Sequence, residues 1–325
     1  MVTTEKRAAP LQRTLREYRS ELAMLGVFLL FFLIMSFISP YFFTRQNLMN
    51  VMSQVSSNAM LAIGMTIVII TSGIDLSVGG NLGLSGMIGC MVLMNTQNIF
   101  LGVMAMLLVS SVVGLVNGFL IGYLKMPAFI ATLGIMQVCR SLDYVISNAN
   151  TASKFPEAYG FLGKGKIADS FPIYIIFIIF MFCVFIWILS KWKFGRFLYA
   201  IGSNAEAARL SGVNVKLNTL LAYVCSGLLC GFAAWMMTSR LMACDPTYGS
   251  GNEMDAIAAA VIGGVSMSGG KGKLAGTAIG VLLVGFLRNA LNILGVNPFW
   301  QGSVIGAVII VAVLAEKLSA LQLKK

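Results

Sequence analysis

No histidine occurs anywhere in the 325 residues. Its absence excludes a Ser-His-Asp nucleophile, a histidine metal centre and the usual proton shuttle near neutral pH. Charge is scarce too. Asp, Glu, Lys and Arg make up 11% of the chain, against about 25% in a soluble domain. There is no CxxC pair. Five of the six cysteines, Cys90, Cys139, Cys183, Cys225 and Cys230, fall in apolar runs, where cysteine packs as a small hydrophobe. Proline disrupts a helix interior, and Pro10, Pro40, Pro127, Pro156, Pro172, Pro246 and Pro298 all lie between apolar runs or at their edges. The stretch GFLGKGKI (160–167) starts like a phosphate loop but lacks the Ser or Thr after its lysine and has no strand before it. No covalent chemistry, metal or cofactor is expected of this chain.

What is present is apolar. The chain is 58% hydrophobic, with a mean hydropathy of +0.86. Apolar segments fall at roughly 22–39, 54–72, 76–94, 99–123, 128–148, 171–189, 217–242, 253–266, 274–294 and 299–316. Most are long enough for about 30 Å of hydrocarbon, so the expected fold is all-α: a polytopic membrane bundle of about ten transmembrane helices. Its parts are a basic N-terminus (1–21), a transmembrane body (22–316) and a short tail (317–325). The run after the basic N-terminus is too long for an ordinary signal core and reads as an uncleaved first helix.

Most of the 23 Lys and Arg fall on one side when the N-terminus is placed inside. They lie at the N-terminus, at Lys125, Lys191, Lys193, Arg196, Arg209, Lys216, Lys271 and Lys273, and in the tail. Both termini are then cytoplasmic. The net charge of +11 is a topology signal, not a nucleic-acid footprint. Residues 149–170 form an outside loop of mixed sign. Residues 190–216 form a basic inside loop containing NAEAARL. There Asn204 is placed as N-cap, Glu206 in the first turn, Arg209 near the end and Gly212 just beyond. So short a helix needs a docking surface.

The stretch ITSGIDLSVGGN (70–81) puts a carboxylate and three glycines between two apolar segments. Irregular backbone at membrane depth is tolerated only against protein or a watery cavity. Two readings stay open: Asp75 and Ser77 cap the following helix, or they touch a substrate. Asn58, Asn117, Asn289 and Asn292 suit a hydroxyl-rich substrate, and they equally suit bonds between helices. Shifted by 190 residues, Gly73, Gly79, Gly80, Leu84 and Gly86 match Gly263, Gly269, Gly270, Leu274 and Gly276. Ser110, Gly114, Gly118 and Gly122 share one helix face, and Gly276 and Gly280 repeat that spacing, which favours close helix packing. Arg140 and Asp143, three apart, are placed to pair. Ionisable groups in the segments are few, and Asp75 is the one candidate coupling site for an ion-driven carrier. Otherwise the driving energy comes from another polypeptide.

GIDLSVGG (73–80), GRFLYAIGSNAEAARLSGVNV (195–215), DAIAAAVIGGVSMSGGKGKLAGT (255–277) and LNILGVNPFWQ (291–301) together resemble the membrane permease of bacterial ATP-binding-cassette sugar importers. The ribose, xylose, arabinose and galactose permeases are the most similar group, and the likeness covers about residues 20–317. It implies a monosaccharide importer subunit in the bacterial inner membrane. The implied partners are a cytoplasmic ATP-binding subunit, an extracytoplasmic sugar-binding protein and a second permease subunit, expected to be another copy of this chain. It also implies that Asn204 to Gly212 form the helix that couples to the ATPase, with Glu206 and Arg209 in contact. Val265 departs from the small hydroxyl residue usual in that motif. Related permeases also carry a furanose signalling molecule, and distant ones carry branched-chain amino acids.

Overall fold

Each apolar segment of the sequence falls on a helix. The computed structural model describes residues 19–167 and 171–322; most of the basic N-terminus and the last three tail residues lie outside the described residues. In chain order the helices are α1 (Arg19–Ile38), α2 (Arg45–Ile70), α3 (Val78–Thr96), α4 (Ile99–Gly122), α5 (Ala128–Ser147), the one-turn α6 (Phe161–Lys164), α7 (Ile173–Lys191), α8 (Lys193–Ser203), α9 (Ala205–Leu210), α10 (Val215–Leu241), α11 (Asn252–Ile262), α12 (Leu274–Ile293) and α13 (Pro298–Gln322). The strands β1 (Lys166–Ile167) and β2 (Phe171–Pro172) pair antiparallel. The phosphate-loop-like stretch is thus a one-turn helix running into this hairpin.

Seven of the described helices, α2, α3, α4, α5, α7, α10 and α12, are long and apolar enough to cross a membrane. Leu22–Ile38 and Pro298–Leu314 are shorter apolar stretches. α11 has 11 residues, about 16 Å at 1.5 Å per residue, which spans half a bilayer.

α2 and α10 form the buried middle. Ala59 to Ile70 of α2 are all buried, so this helix is apolar because it faces other helices rather than lipid. α10 packs on α4 through small residues. A Cβ at Gly114 would strike the Tyr223 carbonyl and Gly227, and one at Gly118 would strike the Leu220 backbone. Gly122 lies against Lys216, and Ser110 against Gly231 and Gly227. Backbones at this distance leave no room for side chains, which explains small residues every four positions. Gly280 of α12 does the same against Ala259 of α11, and Gly276 is buried one turn earlier. α1 docks by aromatic contact: the Phe32 ring lies 5.2 Å from that of Phe42 and 5.3 Å from that of Phe286.

The bundle has two ends. One carries the β1–β2 hairpin, the start of α2 and the end of α10, tied by Tyr174 Oη donating to the Met49 carbonyl (2.9 Å) and by an Ala152–Cys244 bridge. The other carries α8, α9, the end of α2 and the loop after α11. Between α10 and α11 the chain turns back from the hairpin end into the bundle. Cys244 lies against Gly86, and Gly249 against Gly79 and Gly83. α11 starts level with the middle of α2, where Asn58 donates to Asp255 (3.1 Å). This stretch is therefore irregular backbone for half its length and helix for the other half.

Candidate functional site

The 71–77 turn folds inward. Asp75 is 2% exposed and is reached by three donor groups. Its Oδ1 accepts from the Ser77 amide (3.1 Å) and hydroxyl (2.6 Å), and its Oδ2 accepts from Ser226 of α10 (2.8 Å). Asn117 of α4 donates to the Ser77 hydroxyl (2.7 Å). Asp75 caps the Ser77 amide just before α3, while the Ser77 side chain makes no cap bond of its own. Tyr223 donates to the Ile74 carbonyl (3.2 Å). A buried carboxylate is costly unless paired or well bonded, and these donors supply that.

The other amides lie elsewhere. Asn58 Nδ2 and Arg288 Nη2 both donate to Asp255, the latter at 2.7 Å, beside a cavity of about 40 Å³ between α2, α11 and α12. Asn289 and Asn47 exchange reciprocal bonds of 2.9 and 2.8 Å. Asn292 accepts from Gln301 (2.6 Å). The structure thus separates the six polar candidates into four groups, each bonded within the chain.

The proposed Arg140–Asp143 pair does not form. Arg140 instead reaches Glu253 (3.6 Å) and the Gly249 carbonyl (3.4 Å). Its side chain leaves α5 towards the inward-turned stretch, whereas Asp143 lies against Gly83 of α3. The first turns of α3 and α11 meet here: a Cβ on Gly79 would overlap the Glu253 carboxylate and the Gly249 carbonyl. Two helix N-termini, each carrying partial positive charge, thus abut inside the bundle beside the middle of α5.

α5 buries Ala131, Thr132, Cys139, Asp143 and Ser147 on one face. Gly134, Gln137 and Ser141, at helical spacing, share the opposite face and are exposed. No atom lies within 4 Å of a Cβ built on Gly134. An amide and a hydroxyl on a membrane-helix face are costly against lipid and mark a face turned to protein or water.

At the other end, Asn204 stands extended between α8 and α9 and accepts from the Ala207 amide (2.9 Å). Glu206 and Arg209 form a bidentate ion pair, with Nε–Oε2 at 3.0 Å. Both are exposed, and Arg209 holds the Glu206 carboxyl below its ordinary value. Gly212 closes α9 at φ +84°, donating to the Arg209 carbonyl (3.0 Å).

A family model described as "branched-chain amino acid transport system / permease component" matches residues 47–313. The chain belongs to this permease family. The permease is 40% identical to the ribose import permease protein of Escherichia coli (strain K12) over 288 residues, covering 87% of this chain and 89% of that one. It is 41% identical to the ribose import permease protein of Bacillus subtilis (strain 168), covering 90% and 91%. Against the galactose/methyl galactoside import permease protein of Escherichia coli (strain K12) it is 36% identical, covering 93% and 95%. No solved structure matches the chain. The permease is a multi-pass membrane transporter subunit of ATP-binding-cassette importers and not an enzyme. Sequence reasoning missed the open face of α5, although Gln137 and Ser141 four apart in an apolar run were a readable signal. It also missed Glu253, whose partner Arg140 is 113 positions away.

Proposed function

We propose that the permease imports a monosaccharide, a ribose-like pentose or a hexose, along the open face of α5. The relatives it resembles at 36–41% identity are ribose and galactose permeases. The observation that carries the reading is the exposed Gly134–Gln137–Ser141 stripe, set beside the meeting N-termini of α3 and α11. Donor and acceptor groups on a membrane-exposed face suit a substrate made of hydroxyls. Half-membrane helices with N-termini at depth are a common setting for substrate sites.

A second permease subunit, taken here as another copy of the chain, closes the path opposite α5. Asp75, Ser77, Asn117, Asn58, Asn289 and Asn292 border this path or brace its walls. Each of these side chains bonds within the chain, and of their buried atoms only Asn58 Oδ1 and Asn117 Oδ1 lack a partner among the described residues, so in this reading they shape the path more than they touch sugar. The crossings number ten, with 242–262 as the eighth, half turn and half helix. Both termini, α8 and α9 then lie in the cytoplasm of the bacterial inner membrane. α9, with Asn204, Glu206, Arg209 and Gly212, docks on the ATP-binding subunit, and a sugar-binding protein meets the hairpin end.

A mild-detergent pull-down of the tagged permease from its own membranes tests this, with mass spectrometry of what comes along. The expected companion is a chain bearing nucleotide-binding cassettes. A permease that stays without any ATPase under cross-linking would move the reading to an ion-coupled carrier that uses Asp75.

A further inference from the structure

Three chain segments fuse backbone to backbone at the α9 end. The last turn of α2 supplies the Ile70 carbonyl, which accepts from the Gly270 amide (2.9 Å). The end of α8 supplies Gly202, where a Cβ would overlap both the Ile70 carbonyl and the Gly270 amide. The loop between α11 and α12 supplies Ser268, Gly269 and Gly270. Ser72 ties all three. Its hydroxyl lies 3.1 Å from the Gly202 carbonyl and 2.9 Å from the Ser268 carbonyl, and its backbone sits at φ +63°. Gly269 and Gly270 hold φ +80° and +69° against Ser72 and Ser203. One turn back on α8, Tyr199 donates to the Gly272 carbonyl (2.8 Å).

The two glycine-rich stretches that match in sequence at a shift of 190 residues are therefore in contact, and α8 is pressed against both. Each leads directly into a membrane helix: 71–77 into α3 and 266–273 into α12. α8 leads through Asn204 alone into α9. Without room for even a methyl group between Gly202 and Ile70, a displacement of the α8 end moves both loops with it.

We propose that Gly202 and Ser72 are the joint through which movement of α9 reaches α3 and α12. Both are positioning residues that touch neither sugar nor nucleotide. The proposal rests on α9 being the helix that docks on the ATPase. A residue that merely packs here would alter stability and assembly alone. A joint alters the link between sugar delivery and ATP hydrolysis while the complex stays whole.

The test uses the reconstituted permease–ATPase complex with its sugar-binding protein. ATP hydrolysis is read with and without sugar-loaded binding protein, alongside uptake. Ser72→Ala is expected to assemble and to lose stimulation by about five-fold or more, a common size for coupling between sites, with uptake falling in step. Gly202→Ala is expected to lose it entirely. Should Gly202→Ala fail to assemble, Ser72→Ala and Tyr199→Phe decide the matter. Wild-type stimulation in assembled Ser72→Ala, with only a lower melting temperature, overturns the joint. Glu206→Lys separates the two layers. If it abolishes stimulation while Ser72→Ala does not, the joint alone fails. If neither changes stimulation, the placement of α9 fails as well.

Discussion

Arg288 on α12 donates to Asp255 in the first turn of α11 at 2.7 Å, and Asp255 is 3% exposed. This ion pair, with Asn58 as its third member, pins the half-membrane helix to its neighbours. Removing one partner leaves a buried charge alone, which costs about 3–5 kcal/mol. Arg288→Leu, which strands the buried Asp255 carboxylate, is therefore expected to lower the melting temperature of the detergent-solubilised permease sharply. Replacing both by Leu is expected to recover most of the loss, because a buried pair exchanged for apolar side chains is often neutral. Equal melting of the single and double variants would show that the pair is not what pins α11.

Gly114 of α4 and Gly134 of α5 separate packing from exposure. Gly114→Ala pushes a methyl into the Tyr223 carbonyl and Gly227, and overpacking of this kind costs about 1–3 kcal/mol. Gly134→Ala meets nothing within 4 Å and removes the entropy burden of a helical glycine, roughly 0.5–1 kcal/mol. Thermal unfolding of the two variants is expected to move in opposite directions. A shared drop would mean that α5 is covered within the single chain.

Asp245, in the turn after α10, accepts from Thr247 and from Thr151 of the hairpin-end loop (2.6 and 2.7 Å). These bonds, with the Thr247 amide also donating to Asp245 Oδ1 (2.9 Å), tie the start of the inward turn to the hairpin-end loop. Hydrogen exchange at the Thr247 amide is expected to stay slow from pH 7 to 5. In Asp245→Asn it is expected to be faster across that range.

The spans were legible because lipid and protein interior both select apolar residues. The ends were not. α2 starts at Arg45 rather than near 54 because Gln46, Asn47, Asn50 and Gln54 dilute its first turns, while Thr44, its N-cap, accepts from the Asn47 amide (3.2 Å). α8 was hidden in the basic inside loop, since Leu198 and Ile201 bury one side of a helix whose other side carries charge. The inward turn at 242–251 left only glycines as a trace. For the candidate site, Asp75 and Ser77 could be singled out together from their spacing, and they bond to each other. Its bond to Ser226 joins residues 151 apart, and no local pattern records such a distance. Gln137 and Ser141 sat in plain view, but hydropathy averages them into an apolar run.

Labelling of Ser141→Cys, with exposed Cys183 replaced by Ser, tests the path along α5 most directly. A hydrophilic thiol reagent is applied to membranes holding the full importer, and sugar uptake is measured before and after. The account predicts that the water-soluble reagent reaches position 141 and that uptake falls once it is modified. Labelling by a lipid-soluble reagent alone, with uptake unchanged, would place that face in lipid and contradict the account.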